Sequence, residues 1–286
     1  MPTVTRLAPA KINTILRITG TRPNGYHDLE MVMVPLAFGD EISVTITPTE
    51  MTTITVTCTD PALECDETNL CYRAAAALLP LAPFPQAISI AINKHCPVGA
   101  GLGGGSSDAA AVLLALNTFW GLELSPDQLG EYAVKLGADV PFFCHGVPAV
   151  CEGIGEKITA LTKFPKLSIL LVNPGFHLAT PTVYKAYDLQ LTPQKSRGSC
   201  PQLFEGLQEV AATLENDLQG VAEELHPIIR SIREDLIQLG AVASQMSGSG
   251  PTVFGIFSSD ADAKRAAEKI KQPGWKVFVT ETLSCE

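Results

Sequence analysis

The chain has 286 residues, 46% of them hydrophobic and 6% aromatic, which is typical of a globular protein of helices and strands with a full hydrophobic core. Its net charge of −10 and isoelectric point near 5.0 argue against a nucleic-acid partner and an anionic membrane partner, because both need a basic surface. A length of roughly 100–200 residues per domain predicts two domains.

Targeting and redox signals point to a cytoplasmic protein. No basic start followed by an apolar signal core is present, and the longest apolar helix, near residues 109–116, is too short to span a bilayer. The eight cysteines form no Cys-x-x-Cys pair and do not cluster with the five histidines. We therefore expect reduced thiols rather than a cysteine metal site.

The first predicted strand is interrupted at Pro9 and carries one lysine, Lys11, among apolar residues. Because lysine is rarely buried without a partner, Lys11 either reaches solvent from an edge strand or has a function. Residues 23–25 then predict a tight turn that holds Tyr26 and His27 at its exit. Tyr26 either fills a small core or offers its ring to a nucleobase beside the histidine.

The next segments alternate between strand and helix patterns. Thr and β-branched residues over 41–46 and 52–58 predict a β-hairpin. A helix is predicted from about residue 66 to residue 79, just before Pro80, and a strand over residues 87–93.

The segment from Pro97 to Ala111 contains five glycines, then Ser-Ser-Asp, then a helix-forming run. Glycines let the backbone approach a ligand closely, and a helix start presents unpaired N–H groups with about half a positive charge. The order of strand, glycine loop and helix is one that binds phosphate in several unrelated folds. This segment therefore predicts an anion-binding site.

Three other kinds of loop share features with the glycine segment. A Walker loop is excluded, because Ser106 follows Gly105 where that motif requires a lysine. Residues 99–104 match the dinucleotide pattern Gly-x-Gly-x-x-Gly, but the acid about 20 residues further on, Glu123, falls in a predicted turn between helices. A plain glycine-rich turn capped by Ser and Asp is the third alternative.

Two helices and an isolated acid follow. The helix predicted from Asp108 to Trp120 is apolar on all sides, so we expect it to be buried. Ser125 predicts the N-cap of the next helix. Asp139 then precedes an apolar run, where a carboxylate needs a cation or backbone donors. It is either a helix cap or a functional acid.

The second half predicts helices on one antiparallel sheet, an α+β arrangement. The predicted elements are a strand at 168–173, a helix opening at Thr180, a surface loop at 191–201, an amphipathic helix at 227–239 and a terminal helix and strand. A glycine turn at 247–250 joins two strands, as an ordinary hairpin or as a close approach to a ligand.

Several of these segments resemble motifs of the GHMP kinases. Pro-Ala-Lys-Ile-Asn around Lys11, Gly-Ala-Asp-Val-Pro around Asp139 and Ser-Gly-Ser-Gly-Pro from Ser247 are similar to family motifs. Gly-Thr-Arg-Pro-Asn-Gly-Tyr-His, ending at His27, resembles the signature of one branch. The family's ATP-binding motif is matched at Pro97, Gly101, Leu102, Gly103, Ser106 and Ser107.

The resemblance covers nearly the whole chain and implies a two-domain GHMP kinase fold of the α+β class. It implies an N-terminal ATP-binding domain, of the ribosomal protein S5 domain 2-like type, over residues 1–163. A ferredoxin-like C-terminal domain would then occupy residues 164–286.

The resemblance also implies roles for individual residues. Asp139 is implied to be the catalytic base, oriented by Lys11, and Tyr184 is implied to face Tyr26 across a cytosine. The implied ATP-binding residues are Pro97, Val98, Gly99, Ala100, Gly101, Leu102, Gly103, Gly104, Gly105, Ser106 and Ser107. The implied substrate-binding residues are Asn13, Tyr26, His27, Thr180, Tyr184, Gly248 and Ser249.

The implied reaction is phosphoryl transfer from ATP, with Mg²⁺, to a cytidyl-diphosphate alcohol in non-mevalonate isoprenoid synthesis. No side chain is assigned as a dedicated metal ligand, and Asp108 either touches the metal or caps the helix. Another GHMP kinase of small molecules, such as homoserine kinase, and a catalytically silent nucleotide sensor are the alternatives. The Tyr26–His27 pair counts against the first, and the presence of both Lys11 and Asp139 counts against the second.

Overall fold

The structure is a computed structural model that describes residues 2–23, 25–190 and 198–284. It contains two compact units, each assembled from three stretches of chain. Unit 1 comprises Met1–Ala10, Gly39–Cys96 and Gly103–Gly146. Unit 2 comprises Lys11–Phe38, Pro97–Leu102 and Val147–Glu286. The predicted glycine segment is therefore divided between the two units.

The elements of the first half, in chain order, are β1 (Thr3–Thr21), β2 (His27–Pro48), β3 (Thr53–Cys58), α1 (Leu70–Leu78), β4 (Gln86–Asn93), α2 (Gly104–Trp120), α3 (Pro126–Ala133), α4 (Val140–His145), β5 (Ala149–Gly153) and β6 (Lys157–Ala160). A short 3₁₀ helix, Leu79–Leu81, follows α1.

The elements of the second half are β7 (Ser168–Asn173), α5 (Thr180–Leu189), α6 (Leu207–Thr213), β8 (Glu215–Asn216), α7 (Gln219–Leu225), α8 (Ile228–Gln238), β9 (Ala243–Met246), β10 (Val253–Phe257), α9 (Asp260–Ala267) and β11 (Lys276–Glu281). The predicted strand at 168–173, the helix start at Thr180 and the helix at 227–239 are confirmed, the last to within one residue at each end.

The hairpin predicted from residues 41–46 and 52–58 is wrong. In unit 1, β4 lies between the two segments, antiparallel to β2 and parallel to β3. Both segments are strands, but alternating residues specify a strand and one buried face, not its neighbour. The isoleucines of β4 at positions 88, 90 and 92 are buried, so the central position of β4 is supported by its apolar face.

Capping residues mark the starts of helices α1 and α3 in unit 1. Asn69 accepts a hydrogen bond from the backbone N–H of Cys71 at the start of α1, and Ser125 forms a capping box at α3. Helix α2 is buried as predicted but begins at Gly104, one turn before the expected start. Gly103 has a φ of 71° and serves as the N-cap, so the following glycines join the helix.

Unit 2 contains a four-stranded antiparallel sheet with the order β11-β7-β10-β9. A second set of strands surrounds the parts of β1 and β2 that belong to this unit. There, β5 pairs with β2, β6 pairs with β5, and β8 pairs in parallel with β1. Helices α8 and α9 contact the four-stranded sheet. The predicted α+β class is therefore confirmed.

Some sequence predictions fall on residues outside the described ranges. These include Asn24 in the predicted turn and residues 191–197 of the predicted surface loop. The seven cysteines that the structure describes are free, five of them buried. Among the described helices, none is both long enough and apolar enough to cross a membrane. A cytoplasmic location stays a prediction.

The close approach of Gly39 on β2 to β1 predicts a stability effect. A Cβ atom at Gly39 would lie 2.0 Å from the carbonyl oxygen of Ala8. We therefore expect Gly39→Ala to lower the free energy of unfolding by about 1–3 kcal/mol, or more if the strands cannot separate. Urea-induced unfolding of the variant and the wild type measures this difference.

Gly130→Ala is the matched control, because no atom lies within 4 Å of a Cβ built at that position in α3. It should raise stability by about 0.5–1 kcal/mol through the better helix propensity of alanine. A Gly39→Ala protein with wild-type stability would contradict the described approach of β1 to β2.

Candidate functional site

In unit 2, the lysine of the first motif is buried and held by polar neighbours. Lys11 is 5% exposed, and its Nζ donates to Oδ1 of Asn13 at 2.5 Å. Its backbone N–H donates to the carbonyl oxygen of Leu102 at 2.9 Å, which ties β1 to the glycine segment. The edge-strand interpretation of Lys11 is therefore wrong, because the side chain is buried beside an amide.

Two glycines allow the motifs of unit 2 to meet. A Cβ atom at Gly101 would lie 2.2 Å from the carbonyl oxygen of Ser247. A Cβ atom at Gly248 would lie 3.0 Å from the Nζ of Lys11 and 3.0 Å from the carbonyl oxygen of Gly101. Both glycines have positive φ, 76° and 57° respectively. Only glycine satisfies both the conformation and the space at these positions.

Hydrogen bonds fix the same contact. The hydroxyl of Ser247 donates to the carbonyl oxygen of Gly101 at 2.9 Å. The backbone N–H of Thr252 donates to the carbonyl oxygen of Ala100 at 3.3 Å. The turn at 247–250 joins the hairpin strands β9 and β10. Because it also contacts residues 97–102, it is more than an ordinary hairpin turn.

Two amide side chains that the sequence analysis did not identify position this turn. The Nδ2 of Asn216 donates to the carbonyl oxygens of Met246 and Gly248 at 2.8 and 2.9 Å. The Nε2 of Gln245 donates to the carbonyl oxygens of Asn13 and Thr14 at 3.0 and 3.2 Å. For Asn216, the signal in the sequence was an Asn next to an Asp between two apolar segments. That pattern does not predict which carbonyl oxygens the amide binds.

The residues implied to bind a base lie together in unit 2, with one difference from expectation. Tyr26 is 60% exposed and His27 is 8% exposed. The ring that meets Tyr184 is that of His27, with centroids 4.9 Å apart and planes inclined by 31°. The facing of Tyr26 and Tyr184 across a base stays a prediction.

Other residues implied in binding also make contacts within unit 2. The hydroxyls of Thr180 and Ser249 are 2.8 Å apart, so the start of α5 is joined to the glycine turn. A Cβ at Gly99 would lie 1.8 Å from the Cδ2 atom of His177, so a side chain there would displace that exposed ring, and the φ of 62° at Gly99 also favours glycine. Val98 is exposed, whereas Leu102 is buried.

In unit 1, the remaining glycines and serines form the first turn of α2. The backbone N–H of Ser107 donates to the carbonyl oxygen of Gly103 at 2.9 Å, and the three N–H groups before it lack a partner within the helix. The hydroxyl oxygen of Ser107 and Oδ1 of Asp108 are buried with no hydrogen-bond partner. This helix end is therefore a place where an anion or a hard cation would be stabilised.

A buried cluster of three charges stands behind this turn. The Nζ of Lys94 donates to Oδ2 of Asp40 at 2.6 Å and to Oδ2 of Asp108 at 2.7 Å. Oδ1 of Asp40 also accepts from the backbone N–H groups of His95 and Cys96. The cluster therefore fixes the chain between β4 and the glycine segment against α2, which the sequence analysis did not foresee.

Burial and the neighbouring charges shift the pKa values of Asp108 and Lys94. Burial raises the pKa of Asp108 to about 7, opposed by the attraction of Lys94 and assisted by the Asp40 carboxylate. Burial lowers the pKa of Lys94, but the charges of Asp108 and Asp40 outweigh it, so this pKa lies above its ordinary value. The structure therefore makes Asp108 a partner of Lys94 rather than an N-cap.

Asp139 lies in unit 1 and is half-buried at the N-cap position of α4, but its side chain makes no capping hydrogen bond. The cap interpretation is thus not supported by the geometry. Lys11 belongs to unit 2, so the pairing of Lys11 with Asp139 stays a prediction. Among the described residues, no group of three or more His, Cys, Asp or Glu side chains is placed to hold a metal ion.

Comparison with known proteins gives matches along the whole chain. Residues 69–147 match the family described as GHMP kinases N terminal domain, and residues 202–274 match GHMP kinases C terminal. The boundary expected after residue 163 lies between these ranges and stays a prediction. The chain is 44% identical over 284 residues to the 4-diphosphocytidyl-2-C-methyl-D-erythritol kinase of Geobacter metallireducens, covering 99% of this chain and 100% of that protein.

Another relative and two solved structures also match nearly the whole chain. The kinase of the same name from Geobacter sulfurreducens is 44% identical over 283 residues, with 99% of this chain and 100% of that one covered. A crystal structure of 4-(cytidine 5'-diphospho)-2C-methyl-D-erythritol kinase matches with a TM-score of 0.80 at 34% identity, covering 98% of this chain and 99% of that one. The homoserine kinase of Cytophaga hutchinsonii matches with a TM-score of 0.69 at 16% identity, covering 98% and 95%, which shows likeness of fold alone.

From the buried cluster we predict that removing its cation, Lys94, lowers stability strongly. Lys94→Ala leaves two carboxylates, 0% and 4% exposed, without their counter-charge. We expect the free energy of unfolding to fall by about 3–5 kcal/mol, measured by urea denaturation. Adding Asp108→Asn to Lys94→Ala should recover part of this loss, because one of the two buried charges is then removed.

Lys264→Ala is the control for the loss of a lysine. Its partner is Asp260 on the same exposed helix face, and the pair should contribute less than about 0.5 kcal/mol. Equal effects of the two lysine substitutions would contradict a structural role for the Lys94 cluster.

Proposed function

This chain belongs to the GHMP kinase family, and on that premise we propose that it transfers the γ-phosphoryl group of ATP to the 2-hydroxyl of 4-diphosphocytidyl-2-C-methyl-D-erythritol. The observation that carries the proposal is its 44% identity, over 99% of its length, to a kinase of that name. The fold expected from the sequence, a two-domain GHMP kinase fold, is confirmed by the family matches and by the solved structure. The reaction belongs to the non-mevalonate synthesis of isoprenoid precursors.

The phosphates of ATP are proposed to lie against the glycine segment. Phosphoryl transfer asks a protein mainly for positioning and for neutralisation of charge. The first turn of α2 offers unpaired N–H groups and the positive end of the helix dipole. Lys94 is already bound by two carboxylates, so this proposal assigns phosphate binding to the backbone rather than to that lysine.

A Mg²⁺ ion fits the oxygen donors at the same turn. The unpartnered hydroxyl of Ser107 is a hard oxygen ligand, and Mg²⁺ in kinases is held by few protein groups together with substrate phosphates. Ser107, with Ser106 beside it, would hold the ion. When bound, Mg²⁺ supplies positive charge that neutralises the phosphate oxygens.

Asp139 is proposed to accept the proton of the attacking hydroxyl. Its carboxylate is half-buried and is not used for capping α4, so it is available for this task. Lys11, held at Nζ by Asn13, is proposed to orient Asp139 and to stabilise its negative charge. The nucleophile is a tertiary alcohol, which is crowded and weak, so alignment of the two reacting groups contributes much of the rate.

The cytidyl group is proposed to bind at Tyr26, His27 and Tyr184. An exposed tyrosine ring provides a stacking surface, and stacking one base contributes about 1–3 kcal/mol. Asn13, Thr180, Gly248 and Ser249 are proposed to bind the rest of the substrate. Gly248 and Ser249 belong to the turn that meets Lys11, Thr180 contacts Ser249, and Asn13 binds Lys11.

The experiment that tests the proposal is an ADP-release assay over a panel of alcohols with the purified full chain. The cytidyl-diphosphate alcohol should be phosphorylated with the highest kcat/KM, and homoserine and mevalonate should give rates near background. Faster phosphorylation of homoserine would support the second candidate function, and ATP binding without turnover on any alcohol would support a nucleotide sensor.

The proposed base gives a quantitative prediction. Asp139→Asn keeps the shape of the side chain but removes its ability to take a proton. Turnover should fall by about 10²–10⁴-fold, the usual contribution of a positioned base, while the dissociation constant for ATP stays close to that of the wild type.

Asp127→Asn provides the matched control, because that carboxylate lies on the preceding helix and is 89% exposed. It should leave turnover unchanged. If Asp139→Asn retained more than a third of wild-type turnover, Asp139 would have a structural role and the proposed base would be rejected.

A further inference from the structure

Helix α5 presents two side chains to the ring of His27. Tyr184 and Asp188 are four residues apart and therefore lie on the same face of the helix. Oδ1 of Asp188 is 2.8 Å from Nε2 of His27, and the ring of Tyr184 packs at 4.9 Å from the imidazole. The histidine is 8% exposed, and its ring is held both by a hydrogen bond and by an aromatic contact.

The carboxylate decides which nitrogen of the imidazole carries the proton. An ionised carboxylate only accepts hydrogen bonds, so Nε2 of His27 must be the donor. In a neutral imidazole the other nitrogen, Nδ1, is then an acceptor. Among the described residues, no hydrogen bond to Nδ1 of His27 is formed.

The nearest acid in the sequence does not compete for this role. Asp28 follows His27 directly, but its Oδ1 accepts hydrogen bonds from the Nε and Nη2 atoms of Arg22 at 2.8 and 2.7 Å. Asp188, 161 residues further along the chain, is therefore the carboxylate that sets the state of the ring.

We propose that Asp188 is a positioning residue that holds His27 with Nδ1 as a hydrogen-bond acceptor, and that this makes the nucleoside site select a base with an amino group over one with a carbonyl group. The proposal rests on the proposed function, in which His27 meets the base of a cytidyl substrate. Cytosine presents an amino donor at C4, whereas uracil presents a carbonyl acceptor at the same position. An acceptor at Nδ1 binds the first group and leaves the second without a partner.

The test compares two substrates on the full chain, the cytidine-diphosphate alcohol and the uridine-diphosphate form of the same alcohol. Asp188→Lys replaces a group that only accepts hydrogen bonds with one that only donates them, so Nε2 must be the acceptor of any bond to it and the proton is favoured on Nδ1. We expect the ratio of the two kcat/KM values to fall by about tenfold or more in the variant, because an unpaired buried polar group costs that much binding.

A second measurement reads the tautomer without any substrate. Long-range ¹H–¹⁵N correlation spectra should show the Nε2–H form of His27 in the wild type and a shift toward the Nδ1–H form in Asp188→Lys. Asp188→Glu, which keeps the carboxylate, should retain the wild-type form and part of the base preference. Lys185→Ala, an exposed neighbour on α5, should leave both readouts unchanged.

An unchanged substrate ratio in Asp188→Lys would overturn the proposal, whether or not the tautomer shifts. Because the Asp188 side chain is 51% exposed, the variant is expected to fold, and the spectra report this directly. A wild-type protein that did not phosphorylate the cytidyl alcohol would reject the proposed function instead. The two failures are therefore distinguishable.

Discussion

The arrangement of unit 2 depends on one steric constraint, the close approach of two backbone segments at Gly101 and Gly248. Any side chain at Gly101 would occupy the space of the Ser247 carbonyl, and any side chain at Gly248 would displace the Nζ of Lys11. Because these positions are glycine, the lysine of β1, the glycine segment and the β9–β10 turn meet at one place. Asn216 and Gln245 then hold the backbone carbonyls that surround this meeting point.

Because the net charge of the chain is −10, the binding of an anion depends on the groups immediately around it. Lys94, beside the first turn of α2 in unit 1, is paired with both Asp40 and Asp108, so one positive charge meets two negative charges when both acids are ionised and the cluster is negative as a whole. Under the proposed function, a phosphate at this helix end is stabilised by backbone N–H groups, and the Mg²⁺ ion bound with ATP adds positive charge. The buried acids serve instead to fix the position of the helix, since breaking such a cluster leaves an uncompensated charge.

The discrimination between substrates that we propose takes place at His27 rather than at the backbone contacts around Lys11. His27 is buried between an aromatic ring and a carboxylate of α5, while its neighbour Tyr26 is exposed. A rigid polar group beside an exposed aromatic surface suits the recognition of a flat base, because stacking gives affinity and the hydrogen bond gives selectivity.

The sequence alone determined the α+β class, most strand and helix positions, and the residues of the glycine segment, because periodicity, caps and glycine requirements are local properties. It also singled out Lys11, Asp139 and His27, through their motifs. Only the tertiary structure decided that β4 lies between β2 and β3, that Lys94 binds Asp40 from 54 residues away, and that Asp188 meets His27 across 161 residues. These pairings depend on how distant segments meet, and a local pattern that specifies a buried face or a polar side chain does not specify its partner.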